Sequence, residues 1–171
     1  MTAHLPPQPW MSAPETTAVL AALARGGASA RFVGGCVRDA LLARPVNDID
    51  IATDARPETV TTLLEAAGLK AVPTGLKHGT VTAISNHQPF EITTLRRDVE
   101  TDGRHAVVAF TDDWREDAAR RDFTMNALSL DPDGRLHDYF TGLVDLKAGR
   151  VRFVGDPSQR LEEDVLRLLR F

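Results

Sequence analysis

The feature that most constrains the fold is the alternation of acidic and aliphatic residues in "NDIDIAT", residues 47–53. Residues two apart in a strand point to the same face, so Ile49 and Ile51 would enter a core while Asp48 and Asp50 project together. Neighbouring carboxylates repel, and a divalent cation would offset the repulsion, because Mg²⁺ prefers hard oxygen ligands and keeps positions for water and phosphate. A solvated strand face, or an aspartate capping the next turn, is the alternative that the pattern leaves open.

The neighbouring segments predict the fold class. Residues 14–25 and 56–68 have helical spacing, and 30–35 are typical of a short buried strand that ends at a glycine pair, after which a helix begins. The β-rich runs 78–85 and 89–95 predict an antiparallel hairpin. Because regular βαβ alternation is missing, we predict an α/β domain of the α+β type, with a small mixed sheet flanked by helices.

The rest of the chain is more irregular. Residues 1–12 are Pro-rich and are interpreted as a loose leader, and the polar residues 96–113 as a mobile loop. Residues 115–130 predict a helix followed by a strand. Residues 156–171 predict an amphipathic helix that ends without a Gly, Asn or Pro stop signal, as though a further helical region followed.

Composition excludes several classes of function. The formal net charge of -4 argues against a strongly basic, nonspecific nucleic-acid binder, although it allows an enzyme that acts on the end of a nucleic acid through local basic residues. No apolar run of about 18 residues is present, so no membrane span is expected. The single Cys36 and the lack of a signal pattern fit a cytoplasmic protein.

Two further patterns accompany the aspartate pair. In "VGGCVRD", residues 33–39, Gly34 and Gly35 would allow a phosphate close to the backbone, and Arg38 would add a bidentate contact; a plain tight turn is the alternative. Cys36 is interpreted as a packing residue at that turn. Glu91 would join the aspartates if its strand lay beside theirs, and otherwise it is an edge residue.

Four motifs together, "GGCVRD…NDIDIAT", "FEITTLRRD", "RRDFTMNAL" and "EEDVLRLLRF", resemble the class II tRNA nucleotidyltransferases (CCA-adding enzymes) and their relatives, the bacterial poly(A) polymerases. The resemblance runs from about residue 31 to the last residue. It implies a catalytic nucleotidyltransferase head at 13–155, followed by the start of a helical neck at 156–171. It also implies addition of CMP, CMP and AMP to the tRNA 3′ end from CTP and ATP, without a template. "VPTGLKHGTVT" looks more like CCA-adding members than poly(A) polymerases.

Position by position, the resemblance implies roles for the motif residues. Two Mg²⁺ ions are expected at the aspartates, with Glu91 as a third catalytic carboxylate. The implied metal ligands are Asp48 and Asp50; the implied nucleotide contacts are Gly34, Gly35, Arg38, Arg121 (triphosphate), Asp122 (ribose) and Asn126.

The last motif suggests base selection. Asp164 and Arg167 are three apart, so a helix would place them on one face. Cytosine and adenine both present an amino donor beside a ring-nitrogen acceptor, which an Asp and an Arg would satisfy, whereas uracil and guanine present the opposite pattern. Arg170 falls on the same face as a further family position. A surface ion pair is the alternative.

Family members continue beyond the start of the neck into further neck, body and tail helices that hold the tRNA, and this sequence holds only the expected start of the neck. We therefore expect a fragment or truncated form with weak tRNA affinity, able to self-associate through the exposed C-terminal helix. The alternatives left open are a poly(A) polymerase and a truncated nucleotide-binding module without activity.

Overall fold

A seven-stranded mixed sheet forms the centre of the computed structural model, which describes residues 3–101 and 106–158. The strands are β1 Ala30–Val33, β2 Ile49–Thr53, β3 Lys70–Gly75, β4 Thr80–Ser85, β5 Gln88–Thr94, β6 Arg96–Thr101, β7 Ala106–Phe110, β8 Ser129–Leu130 and β9 Leu136–His137. The large sheet has the order β3-β4-β5-β2-β1-β8-β9, and among the described strands its one parallel pair is β2–β5. Strands β6 and β7 form a separate two-stranded sheet.

Six short helices surround the sheet in the described residues. Both longer ones, α2 and α4, begin with a proline in the first turn, where its missing N–H and fixed φ cost nothing. The described residues also form two 3₁₀ turns, Leu76–His78 and Thr124–Asn126. The helices are α1 Pro9–Ser12, α2 Pro14–Arg25, α3 Gly35–Leu41, α4 Pro57–Ala66, α5 Trp114–Ala119 and α6 Gly142–Lys147.

One face of the sheet is the hydrophobic core. Strand register aligns four fully buried side chains across β1, β2, β5 and β4: Phe32, Ile51, Ile92 and Val81. Helices α2 and α4 contact each other and pack on this face. Each such side chain stabilises the fold by about 1.5–3 kcal/mol relative to exposure to water. The predicted burial of Ile49 and Ile51 is confirmed, at 3% and 0% exposure.

The opposite face carries the polar residues. In the next row of the same register, Val33 lies beside Asp50, Asp50 beside Glu91, and Glu91 beside Thr82. The β4–β5 hairpin that brings Glu91 there is the predicted one, and its two-residue turn places Asn86 and His87 at positive φ, as a type I′ turn requires.

The prediction of a loose leader was wrong for residues 3–12. Met11 is 4% exposed, and the Trp10 ring meets the edge of Phe32 at a centroid distance of 4.8 Å. The backbone N–H of Leu136 donates to the carbonyl of Ala3 at 2.9 Å. Two large apolar side chains in a Pro-rich segment can pack on a core without any regular periodicity, so the segment gave no sequence signal.

The prediction of one mobile polar loop at 96–113 was also wrong in its described parts. Strands β6 and β7 pair there in antiparallel register, with Arg96 opposite Phe110. The run "AVVAF" has β propensity, which the surrounding charges obscured.

The two helices predicted in the C-terminal half of the chain have different outcomes. In the 115–130 segment the helix is α5 alone, which ends at Ala119; a 3₁₀ turn and the short β8 follow it. The predicted C-terminal helix lies mostly outside the described residues. Of the helices within the described ranges, none is both long and apolar enough to cross a bilayer.

Candidate functional site

Three carboxylates predicted from sequence meet on the polar face of the sheet. Asp48 directly precedes β2, Asp50 lies in β2, and Glu91 is the in-register neighbour of Asp50 on β5. All three line one depression of about 410 Å³. The condition set for Glu91, a strand beside that of the aspartates, is therefore met.

Asp50 lies in an electrostatically unfavourable position. Burial, together with the charge of Glu91 and a hydrogen bond with it, raises the pKa of Asp50 to about 6 from an ordinary value of 3.8. The nearby Arg121 opposes this rise only in part. A half-buried carboxylate with an acidic neighbour is an unfavourable arrangement, which a bound cation would relieve.

The glycine pair forms the turn from β1 into α3. Gly34 adopts φ +73° and ψ −141°, a conformation that is open essentially only to glycine. A Cβ atom at Gly34 would lie 3.7 Å from Asp50 Oδ2 and 3.9 Å from an Arg121 guanidinium nitrogen. The turn thus brings bare backbone close to both a carboxylate and an arginine of the predicted site.

Arg38 on α3 is held by a hydrogen-bonded chain of predicted residues. Its guanidinium donates to Asn126 Oδ1 at 2.9 Å and to Asp39 Oδ1 at 3.0 Å. Asn126 Nδ2 in turn donates to Asp122 Oδ1 at 3.1 Å, which also accepts from the N–H of Phe123. The "GGCVRD" and "RRDFTMNA" motifs, distant in sequence, are therefore one structural unit.

Arg121 is positioned by Asp117, a residue that the sequence analysis missed. Asp117 is 3% exposed and accepts from Arg121 at 3.2 Å, from Arg120 at 3.3 Å and from the backbone N–H of Arg96 at 3.1 Å. Burial would raise the pKa of Asp117, but the two arginine charges and the hydrogen bonds outweigh it and hold that pKa below its ordinary value. The spacing of Asp117 from Arg120 and Arg121 (i,i+3 and i,i+4) was the available signal.

A second buried aspartate supports the 3₁₀ turn that carries Asn126. Thr124 Oγ1 donates to Asp145 Oδ2 at 2.6 Å, and Arg152 Nε donates to the same oxygen at 2.9 Å. Asp145, on α6, is 0% exposed. Its position on α6 fixes the start of the turn and thereby the place of Asn126 beside Arg38.

Cys36 lies at the start of α3 and is 3% exposed. Burial raises the pKa of its thiol to about 11, so the thiolate is scarce at neutral pH. The interpretation as a packing residue fits this environment.

Two depressions flank the aspartate pair. The smaller, of about 240 Å³, lies on the side of the glycine turn and is lined by Gly35, Arg38 and Asn47 among others. The larger lies on the side of β4 and β5. Asp48 and Asp50 line both depressions and therefore stand between them. The first depression also contains Arg38 and the backbone of Gly35, and the second contains Glu91 and Thr82.

The donor set fits a magnesium ion that is shared with a ligand. Within residues 3–101 and 106–158, no group of three or more His, Cys, Asp and Glu side chains is arranged to hold a metal ion by itself. Asp48 and Asp50 supply two hard oxygen ligands, and Mg²⁺ commonly takes one or two carboxylates and fills its other positions with water and substrate phosphates.

Nine of the twelve predicted site residues thus converge on one end of the sheet. The other three, Asp164, Arg167 and Arg170, lie outside the described residues, as does the surface proposed for self-association.

Comparison with known proteins agrees with this geometry. The family model described as "Poly A polymerase head domain" matches residues 30–152. Human CCA tRNA nucleotidyltransferase 1, mitochondrial, is 52% identical over 142 residues, covering 82% of this chain and 33% of the relative. A Streptococcus pyogenes CCA-adding enzyme is 46% identical over 154 residues, covering 89% and 37% respectively. The chain spans about a third of the length of these relatives.

Solved structures give the same result. The Bacillus stearothermophilus CCA-adding enzyme in complex with CTP superposes with a TM-score of 0.80 at 40% identity, covering 91% of this chain and 37% of that one. A tRNA nucleotidyltransferase complexed with a primer tRNA and an incoming ATP analog gives 0.71 at 32% identity, covering 89% and 42%. The predicted mixed α/β head fold is confirmed. The chain therefore belongs to the poly(A) polymerase head-domain family, as a head domain of the class II CCA-adding type.

Proposed function

We propose that this chain is the catalytic head of a CCA-adding enzyme, which transfers CMP and AMP from CTP and ATP to the 3′ end of tRNA. The observation that carries the proposal is the position of Asp48 and Asp50 between two depressions. Transfer between two substrates needs both reacting ends at one charged centre. The similarity to CCA-adding enzymes supports the choice of tRNA, CTP and ATP.

The depression beside the glycine turn would hold the nucleoside triphosphate. Arg38 lines this depression and supplies positive charge, Arg121 lies nearby beside Gly34, and the glycine backbone allows a phosphate to approach closely. Asp122, fixed by Asn126, would contact the ribose of the nucleotide. The depression beside Glu91 would then receive the acceptor RNA end.

The reaction is an in-line phosphoryl substitution. The terminal 3′-hydroxyl oxygen forms a bond to the α-phosphorus, and the bond from that phosphorus to the oxygen bridging the β-phosphate breaks, releasing pyrophosphate. We assign acceptance of the hydroxyl proton to the Asp50 carboxylate, which lies between the two depressions. Asp48 and Asp50 would hold Mg²⁺, which when bound supplies positive charge to the reacting phosphate.

The experiment uses a tRNA that lacks its CCA end, Mg²⁺, and labelled CTP, ATP, UTP or GTP given separately and in the pair CTP plus ATP. We expect incorporation of C, then of A after C, and a product that stops at CCA. Equal use of UTP would contradict the base-selecting role of Asp164 and Arg167. The variant Asp48→Ala with Asp50→Ala serves as the negative control.

Poly(A) polymerase activity is the second candidate, because the matching family model carries that description. The same assay separates the two: an enzyme that extends any RNA with a long A tail from ATP alone is a poly(A) polymerase. Binding of CTP with no incorporation of any nucleotide would instead indicate a nucleotide-binding module without activity.

A further inference from the structure

Residues 3–11, which we call the strap, lie along the outer edge of the large sheet. The backbone N–H of Leu5 donates to the carbonyl of Gly134 at 2.8 Å, and the N–H of Leu136 donates to the carbonyl of Ala3 at 2.9 Å. These two bonds form an antiparallel bridge. The strap thus extends the sheet by one short segment beyond β9.

The other end of the strap is anchored in the hydrophobic core. The ring of Trp10 meets the edge of Phe32 on β1, and the next residue, Met11, is buried. Thr16 Oγ1 on α2 donates to the carbonyl of Trp10 at 2.7 Å, and Thr16 is itself buried. The strap is therefore held at two places, by backbone pairing at β9 and by an aromatic ring on β1.

The two edges of the sheet are closed in different ways. Strand β3 carries an exposed lysine and an exposed proline, Lys70 and Pro73, and such residues discourage pairing with a further strand. Beyond β9, a Cβ atom at Gly134 would collide with the carbonyl oxygen of Leu5, so this edge approaches the strap more closely than any other residue type would allow. The edge at β9 is therefore shaped to receive the strap.

Between its two anchors the strap encloses the strands from which two segments of the candidate site emerge. Strand β1 leads through Gly34 to Arg38, and β8 begins at Ser129, three residues after Asn126. The hydrogen bond of 2.9 Å between Arg38 and Asn126 joins the two segments. Strand β8 pairs with β1 and with β9 through two residues each, and pairing this short is marginal without further support. The strap supplies that support from both sides.

We propose that the strap is a remote positioning element for the nucleotide. Docked, it holds β1 and β8 so that Arg38 and Asn126 stay together; released, it weakens nucleotide binding. This inference rests on the proposed function and adds a structural control of its nucleotide side. Coupling between two sites is reciprocal, so a bound nucleotide in turn holds the strap in place. The element with two states is the strap itself, paired with β9 or detached from it.

The experiment breaks one bond of the strap in the full chain and measures the Kd of CTP with Mg²⁺, without RNA. Leu5→Pro removes the N–H that donates to Gly134, and we expect it to weaken CTP binding about fivefold, the lower end of common coupling strengths. The matched control is His4→Pro. Both bridge bonds involve the neighbours of His4, so the His4 N–H points away from β9, and we expect a change below about twofold.

Two further variants separate the contributions of the strap. Leu5→Ala keeps the backbone N–H, so any effect that Leu5→Pro has beyond it comes from the lost hydrogen bond. Trp10→Ala breaks the other anchor and should weaken CTP binding in the same direction. With CTP saturating, we expect kcat for CMP incorporation to stay within about twofold in each variant, because the strap acts on binding and not on the chemical step.

The reciprocal measurement is hydrogen exchange of the unaltered chain with and without CTP and Mg²⁺. We expect saturating CTP to slow exchange of the Leu5 and Leu136 amides, which form the bonds between the strap and β9, by about fivefold. The reference is the amide of Gly68 at the end of α4, which donates to the carbonyl of Glu65 at 3.0 Å and takes no part in the strap. We expect its exchange to slow by less than about twofold.

The outcomes distinguish the strap from the proposed function. A chain that incorporates CMP but whose CTP affinity survives both Leu5→Pro and Trp10→Ala overturns the role of the strap and leaves the proposed function standing. Equal weakening by Leu5→Pro and His4→Pro, or equal slowing at Leu5 and Gly68, overturns it as well. A chain that neither binds CTP nor incorporates CMP overturns both proposals.

Discussion

Two acidic centres of this domain, at Asp50 and at Asp117, are built in opposite ways. Asp50 lies beside another carboxylate, Glu91, and its pKa is raised to about 6 by burial and by that neighbour. Asp117 is more deeply buried, yet Arg120, Arg121 and a backbone N–H surround it and hold its pKa below the ordinary value. The structure thus satisfies one carboxylate fully and leaves the other under strain.

The difference predicts that Asp117 stabilises the fold and, on the proposed function, that Asp50 binds a ligand. Removing the partners of a paired, hydrogen-bonded buried carboxylate destabilises the fold. Removing the charge of a carboxylate that is buried beside another acid stabilises it. The two centres are connected, because Arg121 contacts Asp117 and also reaches toward Asp50 and Gly34. On the proposed function, Asp117 would therefore hold Arg121, an expected triphosphate contact, in place without touching substrate itself.

The largest effect is expected from Asp50→Asn on activity. The change keeps the size of the side chain but removes a metal ligand and a proton acceptor, so we expect incorporation of CMP to fall by about a thousandfold or more. Single-turnover incorporation with Mg²⁺ measures it. A loss of activity below about tenfold would mean that the Asp50 carboxylate is not needed for the chemistry. The contrast between Asp50 and Asp117 would then have no bearing on function.

The next effect is a loss of stability in Asp117→Asn. Two arginines would lose their charged partner in a buried place, so we expect a decrease of about 3 kcal/mol in the free energy of unfolding. Urea denaturation at pH 7.5 measures the change. The control is Asp112→Asn, because Asp112 also pairs with an arginine, Arg56, but its side chain is 81% exposed. We expect a change within about 0.5 kcal/mol for this control. Equal effects of the two variants would contradict the structural role of Asp117.

The smallest effect has the opposite sign: Asp50→Asn should stabilise the fold at pH 7.5 without divalent cations. The folded pKa of about 6 exceeds the ordinary 3.8, so the folded chain binds more protons between these values and loses stability as pH rises through that range. Asparagine avoids the free-energy cost of ionising Asp50 in the folded chain. Solvent screening at this half-buried side chain reduces that cost to about 1 kcal/mol. Urea denaturation at pH 7.5 and pH 4.5 should show the gain at the first pH and little of it at the second. A loss of stability at pH 7.5 would mean that the Asp50 charge is compensated after all.

Sequence reasoning selected candidate site residues that lie close together in the structure, but it missed the buried residues that hold them in place. Gly34, Arg38, Asp50, Glu91 and Arg121 all belong to short motifs whose residue types signal their chemistry, and the structure places them together. The buried residues that hold these side chains in place give no such signal in the sequence. Asp117 and Asp145 appear in sequence as ordinary helical acids, and only burial beside arginines from other segments distinguishes them.

Prediction from local sequence pattern also failed where tertiary packing determined the structure. The residues 3–12 have neither helical nor strand periodicity, yet Trp10 and Met11 contact the core, because apolar burial depends on area and not on period. Residues 96–101 have enough charge to suggest a loop, yet they pair with residues 106–110 as β6 and β7, because the hydrogen bonds of a hairpin join backbone groups and can form between charged residues as well.

The amino-acid sequence by itself determined the alternation that buries Ile49 and Ile51 and places two acids on the opposite face, the glycine turn before Arg38, and the helix starts at Pro14 and Pro57, since each follows from backbone geometry over a few residues. Only the tertiary structure decided that Glu91 stands beside Asp50, that Thr82 continues their row, and that Asp117 neutralises Arg121. Each of these depends on which strand pairs with which and in what register, and register is fixed by the packing of the whole sheet on α2 and α4.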